Sequence, residues 1–314
     1  MARKNKELNF KQRVQLILGV IVVFIACITG ILDKLGIVTS DTLKEKTGLQ
    51  DKPAEHASTE VHFVDIGQGD ATLVISDGDA MLIDSGDKDE KNTLVKYLKK
   101  QGIEELKYVI VTHPHADHIG EMKDVLQNFK VDKFVMPKVP DNLVPTTSIY
   151  KNMLKEIKNQ GLKITKAVDS EFELGSCRVQ LFTPKKDYND LNNYSALVKI
   201  TDGDNSFLIT GDCEKAEEKE FLAQGVDLSA KVLKVGHHGS RYSSTADFLN
   251  AVLPRYAVIS CGIDNDYGHP HDEAVSRLEK YAHKLYITAK DGTVVFMSDG
   301  DGLTVETERG NSDE

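Results

Sequence analysis

From Val61 onward, short apolar runs alternate with segments whose apolar residues recur every three to four positions. The runs VHFVDIG, ATLVIS, AMLID, YVIVT and KFVMP are rich in β-branched and aromatic residues. Several stop at Asp, Gly, Thr or Pro, the pattern of strands closed by turns. Between them, KNTLVKYLKKQG and EMKDVLQNFK carry helical spacing. The second half repeats the alternation: KITKAV, CRVQLFTP, ALVKIT, SFLITG, VLKVG, YAVIS, KLYIT and TVVFMS read as strands. Helices fit at 148–160, 214–224, 244–253 and 272–282. Two halves of one texture predict sheet packed on sheet with helices outside, a four-layer α/β sandwich over 60–306. Residues 307–314 are polar and read as a frayed tail.

The pattern upstream is different. Residues 14–32, VQLILGVIVVFIACITGIL, hold one amide and no charge, at the short end of what spans a bilayer. Arg3, Lys4, Lys6, Lys11 and Arg13 precede them against Glu7 alone. The excess of positive charge predicts one transmembrane helix, with 1–13 cytoplasmic and the remainder extracytoplasmic. A cleaved leader, or a lipid anchor at Cys27, is the alternative. It fits less well, because no Ala-x-Ala site follows and FIAC is a poor lipidation box. A buried core helix is a third and weaker reading. Residues 33–59, polar and containing Pro53, read as a linker.

Composition narrows the class further. A chain of 314 residues holds one sizeable α/β domain plus appendages, or two small domains. A net charge of −10 argues against a nucleic-acid binder that works through a broadly basic surface. It leaves room for a nucleic-acid enzyme whose bound divalent ions supply local positive charge. Cys27, Cys177, Cys213 and Cys261 show no Cys-x-x-Cys spacing, so no disulfide framework is expected.

The chemistry concentrates in Thr112-His113-Pro114-His115-Ala116-Asp117-His118, on the loop after the strand YVIV. Three imidazoles and a carboxylate so close together suit a borderline divalent ion such as zinc. Alternate residues in an extended loop can place His113 and His115 on one ion, and the following turn can send Asp117 and His118 toward a second. Three further strand ends carry ligand chemistry: Asp84 after AMLI, Asp212 after SFLITG, and His237-His238-Gly239-Ser240 after VLKVG. Singly, an Asp there caps a helix or closes a turn. Four such ends in order are harder to dismiss. Cys213, beside Asp212, reads as packing.

This order of motifs over roughly 60–300 resembles the metallo-β-lactamase superfamily. VDIGQGDATLV, LIDSG, NNYSALV, ITGD, HHGS and YGHPH are similar to the hydrolase-like domain of ComEC-type competence proteins. The resemblance implies an αββα sandwich and one or two ions, zinc or alternatively manganese. It implies His113 and His115 on the first ion and Asp117, His118 and one of His237 and His238, preferably His238, on the second. Asp212 would bridge the two, and Asp84 would orient a ligand imidazole. Asn193 and Ser195, beside Asn192, stand where a third first-site His is usual, which implies a looser first site. Asp117 and His269 are the implied catalytic residues, His269 contacting phosphate or protonating the leaving group. A turn His beside Pro270 is its plainer reading. Gln68, Gly69 and Asp70 are either a substrate loop or a tight hairpin turn.

The implied function is extracytoplasmic, metal-dependent phosphodiester hydrolysis by an activated water, with DNA or another phosphodiester as substrate and no protein partner deducible. A phosphocholine or other cell-surface phosphoesterase uses the same site. A non-catalytic binding module supported by a weakened metal site is the third class, and a β-lactamase fits less well without the third His.

Overall fold

The structure, a computed structural model, describes residues 54, 56–88 and 92–310. The first half lays down β1 (Thr59–Phe63), β2 (Thr72–Ser76), β3 (Asp79–Ile83), β4 (Glu105–Ile110), β5 (Lys130–Met136) and β6 (Ile164–Lys166). The second half supplies β7 (Ser170–Leu174), β8 (Cys177–Phe182), β9 (Leu197–Asp202), β10 (Asn205–Ile209), β11 (Val232–Lys234), β12 (Tyr256–Ile259) and β13 (Lys284–Ile287). The chain then returns to the first sheet with β14 (Val294–Ser298) and β15 (Leu303–Thr307). The two sheets run β15-β14-β1-β2-β3-β4-β5-β6 and β13-β12-β11-β10-β9-β8-β7.

Alternating side chains on each strand divide the apolar residues between two faces. Phe63, Val74, Met81 and Ile110 of the first sheet meet Val179, Ile200, Phe207 and Val258 of the second in a core between the sheets. The opposite face of the first sheet, with Leu73, Leu82, Val109 and Phe134, is covered by helices. These are α1 (Thr93–Lys100), the short α2 (Ala116–Ile119), α3 (Met122–Asn128) and α4 (Ser148–Asn159). The outer face of the second sheet, with Leu208, Leu233 and Ala257, packs against Phe221 on α5 (Lys215–Gln224) and Phe248 on α6 (Ala246–Val252). Leu278 on α7 (Asp272–Tyr281) joins them, and α8 (Thr288–Asp291) follows β13. The result is the expected αββα sandwich. β3 with β4, and β10 with β11 and β12, are parallel neighbours. Their C-terminal ends present side chains at one edge of the sandwich, where parallel sheets collect ligand sites.

Two boundaries differ from the sequence expectation. Of the expected tail 307–314, residues 307–310 are described and belong to the domain: β15 runs to Thr307, and Arg309 pairs with Asp65 at 2.6 Å and donates to the Thr288 and Ala289 carbonyls. At the other end, Ala54 N and Ser58 N already bond to Thr304 Oγ1 and Ser298 O, so the domain starts inside the expected linker. The expected transmembrane span 14–32 lies outside the described residues. Among the described residues no helix is long and apolar enough to cross a membrane.

Candidate metal centre

Asp84 follows β3 with φ of 59°, a left-handed conformation uncommon outside glycine. Its Oδ1 accepts from Thr112 N at 2.8 Å, and its Oδ2 accepts from Thr112 Oγ1 at 2.6 Å. His118 Nδ1 lies 2.8 Å from the same Oδ2. With its Nδ1 proton on Asp84, His118 presents Nε2 to the cluster, 3.1 Å from Asp212 Oδ1. His113 Nε2 lies 3.0 Å from His115 Nδ1 and 3.6 Å from Asp212 Oδ2. Ser195 Oγ accepts Asp212 N at 3.0 Å and stands 3.4 Å from His113 Nδ1, so one hydroxyl steadies both.

The HHGS turn after β11 aims the remaining imidazoles. His238 donates from Nδ1 to Ser260 O at 2.9 Å and lies 3.1 Å from Asp70 Oδ1. Its buried Nε2 has no hydrogen-bond partner, and stands 3.2 Å from Asp117 Oδ2 and 3.4 Å from Asp212 Oδ1. His237 turns the other way, with Nδ1 2.9 Å from Glu214 Oε1 and Nε2 3.7 Å from Asp212 Oδ2. Two donor sets result, sharing Asp212: Asp117, His118, Asp212 and His238 in one, and His113, His115 and Asp212 in the other. Within each, one donor atom per residue lies within 4.8 Å of the others.

These residues fit divalent metal ions. A buried imidazole nitrogen without a hydrogen-bond partner, facing two carboxylates, is costly unless a cation or proton sits between them. The mixture of imidazole and carboxylate donors suits zinc and related ions. The protonation pattern agrees. Burial opposes charge on His118, yet Asp212 and Asp84 carry its pKa well above the ordinary range. Burial likewise opposes charge on His238, but Asp212 and Asp70 raise it to about 10. Burial pushes the Asp212 carboxyl up, and His118 and His238 more than reverse that, holding it well below its usual value. Protons collect where cations would neutralise the same carboxylates.

The centre gathers most of the residues singled out in the sequence. Asn193 is the exception. Its side chain accepts Glu217 N and donates to Asp190, so it supports the turn and does not face the donors. Ser195, and Asn192 at 3.5 Å from His237 Nδ1, stand nearer. The GQGD segment lies in the connection between β1 and β2. Gly69, with φ of 107°, packs so tightly on the Asp117 carbonyl that a Cβ would collide with it. Gln68 Oε1 accepts Gly262 N, and Asp70 points inward, 2.8 Å from the buried Lys234 Nζ. Sequence reasoning missed Lys234. Its signal was a lone charge inside the apolar run VLKV, which needs a buried partner. Glu214 was also passed over, and Thr112 stood in its motif without a role.

His269 stands beside the centre. Its ring is stacked 6.2 Å from that of His238, lies 5.3 Å from that of His237, and is covered by Tyr267 at 5.8 Å. Its Nδ1 is buried without a partner, and Asn265 Oδ1 fixes its backbone N–H. Burial, then the neighbouring His237 and His238, lower its pKa to about 4. Cys177, Cys213 and Cys261 are buried and free, in keeping with the packing role read for Cys213.

Fold and centre together define a metal-dependent hydrolase of the metallo-β-lactamase type. A profile of the metallo-β-lactamase superfamily matches residues 64–263, and the chain belongs to that superfamily. It is 30% identical over 264 residues to ComE operon protein 3 of Bacillus subtilis, covering 78% of this chain and 34% of that protein. Recombination protein 2 of Haemophilus influenzae is 29% identical, covering 75% of this chain and 28% of its own length. Competence protein ComA of Neisseria gonorrhoeae is 28% identical, covering 74% and 31%. The chain thus matches about a third of the length of these relatives. Among solved structures, the fold is similar to CmlA, a diiron β-hydroxylase from Streptomyces venezuelae. The TM-score is 0.50 at 13% identity, covering 79% of this chain and 59% of that one, which is a likeness of fold alone.

Proposed function

We propose that this chain is a metal-dependent phosphodiesterase acting on nucleic acid, held at the membrane by residues 14–32 with its hydrolase domain outside. The observation that carries the reading is the pair of donor sets sharing Asp212, with His269 beside them. Ions held by these residues would supply a water of lowered pKa and positive charge for displacement at phosphorus. His113 and His115 would hold one ion. Asp117, His118 and His238 would hold the other, and Asp212 would span both. Asp84 fixes the tautomer of His118, as a carboxylate behind a ligand imidazole does. His269, kept neutral by its surroundings, offers one N–H donor and one acceptor to a phosphoryl or leaving-group oxygen. The names of the relatives, competence and recombination proteins, support a nucleic-acid substrate over a choline ester.

The test is direct. The purified chain, grown with zinc and manganese supplied, is expected to carry one to two equivalents of metal by elemental analysis. It is expected to cleave single-stranded DNA in preference to choline phosphoesters, with EDTA abolishing the activity. Metal-free protein from such growth sinks the mechanism; preference for choline esters moves the substrate to the cell surface.

A further inference from the structure

The chain carries 49 acidic against 39 basic residues, and one region reverses that balance. A cleft of about 310 Å³ is lined by Lys138, Lys166, Lys185 and Lys186, with Asp187 its one acidic residue. A larger cleft of about 810 Å³ is lined by Lys186, Lys215, Lys219, Arg241 and Arg277, with Glu214 its one acidic residue. Lys186 belongs to both, so the two adjoin.

Most of the lysines are unspent. Lys185 pairs with Asp169 and Arg241 with Glu273. Arg277 is occupied by the Ser243 and Ser244 carbonyls. Lys138, Lys166, Lys186, Lys215 and Lys219 are exposed and pair with no carboxylate among the described residues. Glu220 and Glu214, the nearby acids, are engaged elsewhere: Glu220 takes the Lys185 and Lys186 amides and the Tyr188 hydroxyl, and Glu214 holds His237. Clustered like charges repel unless an anion lies among them.

The larger cleft borders the metal centre, and the smaller one adjoins it through Lys186. Glu214 lines the larger one while bonding His237, and Arg241 and Tyr242 directly follow the HHGS turn. Tyr188 and Tyr242 line the same cleft, and Tyr242 is 64% exposed. Tyr188 is half-buried against Tyr194, so Tyr242 supplies the exposed aromatic face. Such a face beside unpaired cations gives the two components of single-strand recognition, stacking for the bases and positive charge for the backbone. A small phosphoester needs neither adjoining clefts nor a stacking face.

We propose that these two clefts form the track by which a single-stranded nucleic acid is bound and led to the metal centre, an inference that rests on the phosphodiesterase reading above. Anisotropy of a labelled single-stranded oligonucleotide tests it on the full chain, with hydrolysis of bis(p-nitrophenyl) phosphate followed in parallel. The triple variant Lys186→Glu/Lys215→Glu/Lys219→Glu is expected to bind at least tenfold more weakly. Its dependence of log affinity on log salt should flatten by about 2, at about 0.7 per lost phosphate contact. Hydrolysis of the small ester should be unchanged. Tyr242→Ala should weaken the oligonucleotide and leave inorganic polyphosphate unaffected. Should the triple glutamate variant fail to fold, the milder Lys→Gln triple carries the same readout. Unchanged affinity and salt slope overturn the track. Equal binding of polyphosphate and oligonucleotide, indifferent to Tyr242, overturns the nucleic-acid assignment in favour of a general polyanion surface. Oligonucleotide binding without any phosphodiester hydrolysis supports the track and removes the enzymatic reading instead.

Discussion

Asp84 shows how much one carboxylate contributes to the centre. It takes Thr112 N, Thr112 Oγ1 and His118 Nδ1 at once, all of them buried. Asp84→Ala should therefore release the orientation of His118 and strand two buried donors. Metal affinity is expected to fall about 10–100-fold, the usual cost of losing such a support. A chelator-competition titration reads it directly; unchanged affinity would mean that His118 is aimed by packing alone. Asp84 was legible because it ends an apolar strand, and the same logic found Asp212 and the HHGS turn. Asn193 was placed in the right neighbourhood, but its amide turns to Glu217 N and Asp190, while Asp70 reaches the centre beside His238 at 3.1 Å and pairs with Lys234. Position along the chain gives proximity, but the direction of a side chain in a short 3-10 turn or a hairpin depends on its partners. Those partners, Glu217 N for Asn193 and Lys234 for Asp70, are remote in sequence.

Elements with an apolar stripe were equally legible. The expected 148–160, 214–224 and 272–282 helices run as Ser148–Asn159, Lys215–Gln224 and Asp272–Tyr281. β7 (SEFEL) and β15 (LTVET) escaped, because each lies at a sheet edge and stays partly polar, so only backbone pairing with a neighbour defines it. Within the second sheet, one polar tie joins an element to a loop. Lys199 on β9 is buried, and its ammonium reaches the loop after α5, 2.6 Å from Asp227 Oδ2 and 3.2 Å from Asp227 O. The Lys199 ammonium and then the Ser229 hydroxyl depress the Asp227 pKa to about 2. A depressed carboxylate stabilises the fold above its unfolded pKa and loses that contribution as pH falls through the folded value. Asp227→Asn is therefore expected to lower stability near neutral pH. The Asp227 side chain is largely solvent-exposed, so screening holds the loss to about 1 kcal/mol. The gap between the two proteins should narrow as pH drops from about 4 toward 2. Urea melts at pH 7 and pH 3 measure it, and a gap that widens in acid refutes the pairing.

At the scale of the molecule, two sheets meet so that neither alone holds a complete donor set. His118 follows β4 of the first sheet, while Asp212 and His238 follow β10 and β11 of the second. The proposed anchor would put this edge outside the cell, and protease added to intact cells should then degrade the domain; full protection reverses the topology. The division of labour within the centre gives the sharper prediction. Asp212 stands in both donor sets, so Asp212→Ala should release at least one equivalent of metal and abolish hydrolysis. Asp117 stands in one set only, so Asp117→Ala should abolish hydrolysis while the ion held by His113 and His115 can remain. His269 stands in neither set, though its ring packs against His237 and His238. His269→Ala should therefore keep its metal and lower kcat by roughly 10²–10⁴-fold, the usual contribution of a positioned proton donor or charge-stabilising group. The deficit should shrink for esters with a good leaving group such as p-nitrophenol, since protonation of the departing oxygen then matters less. Loss of metal from His269→Ala would make it a ligand completing the His113–His115 set in place of the absent third His. An unchanged kcat would confine the chemistry to the donor sets and remove the support that His269 gives to a phosphodiester substrate.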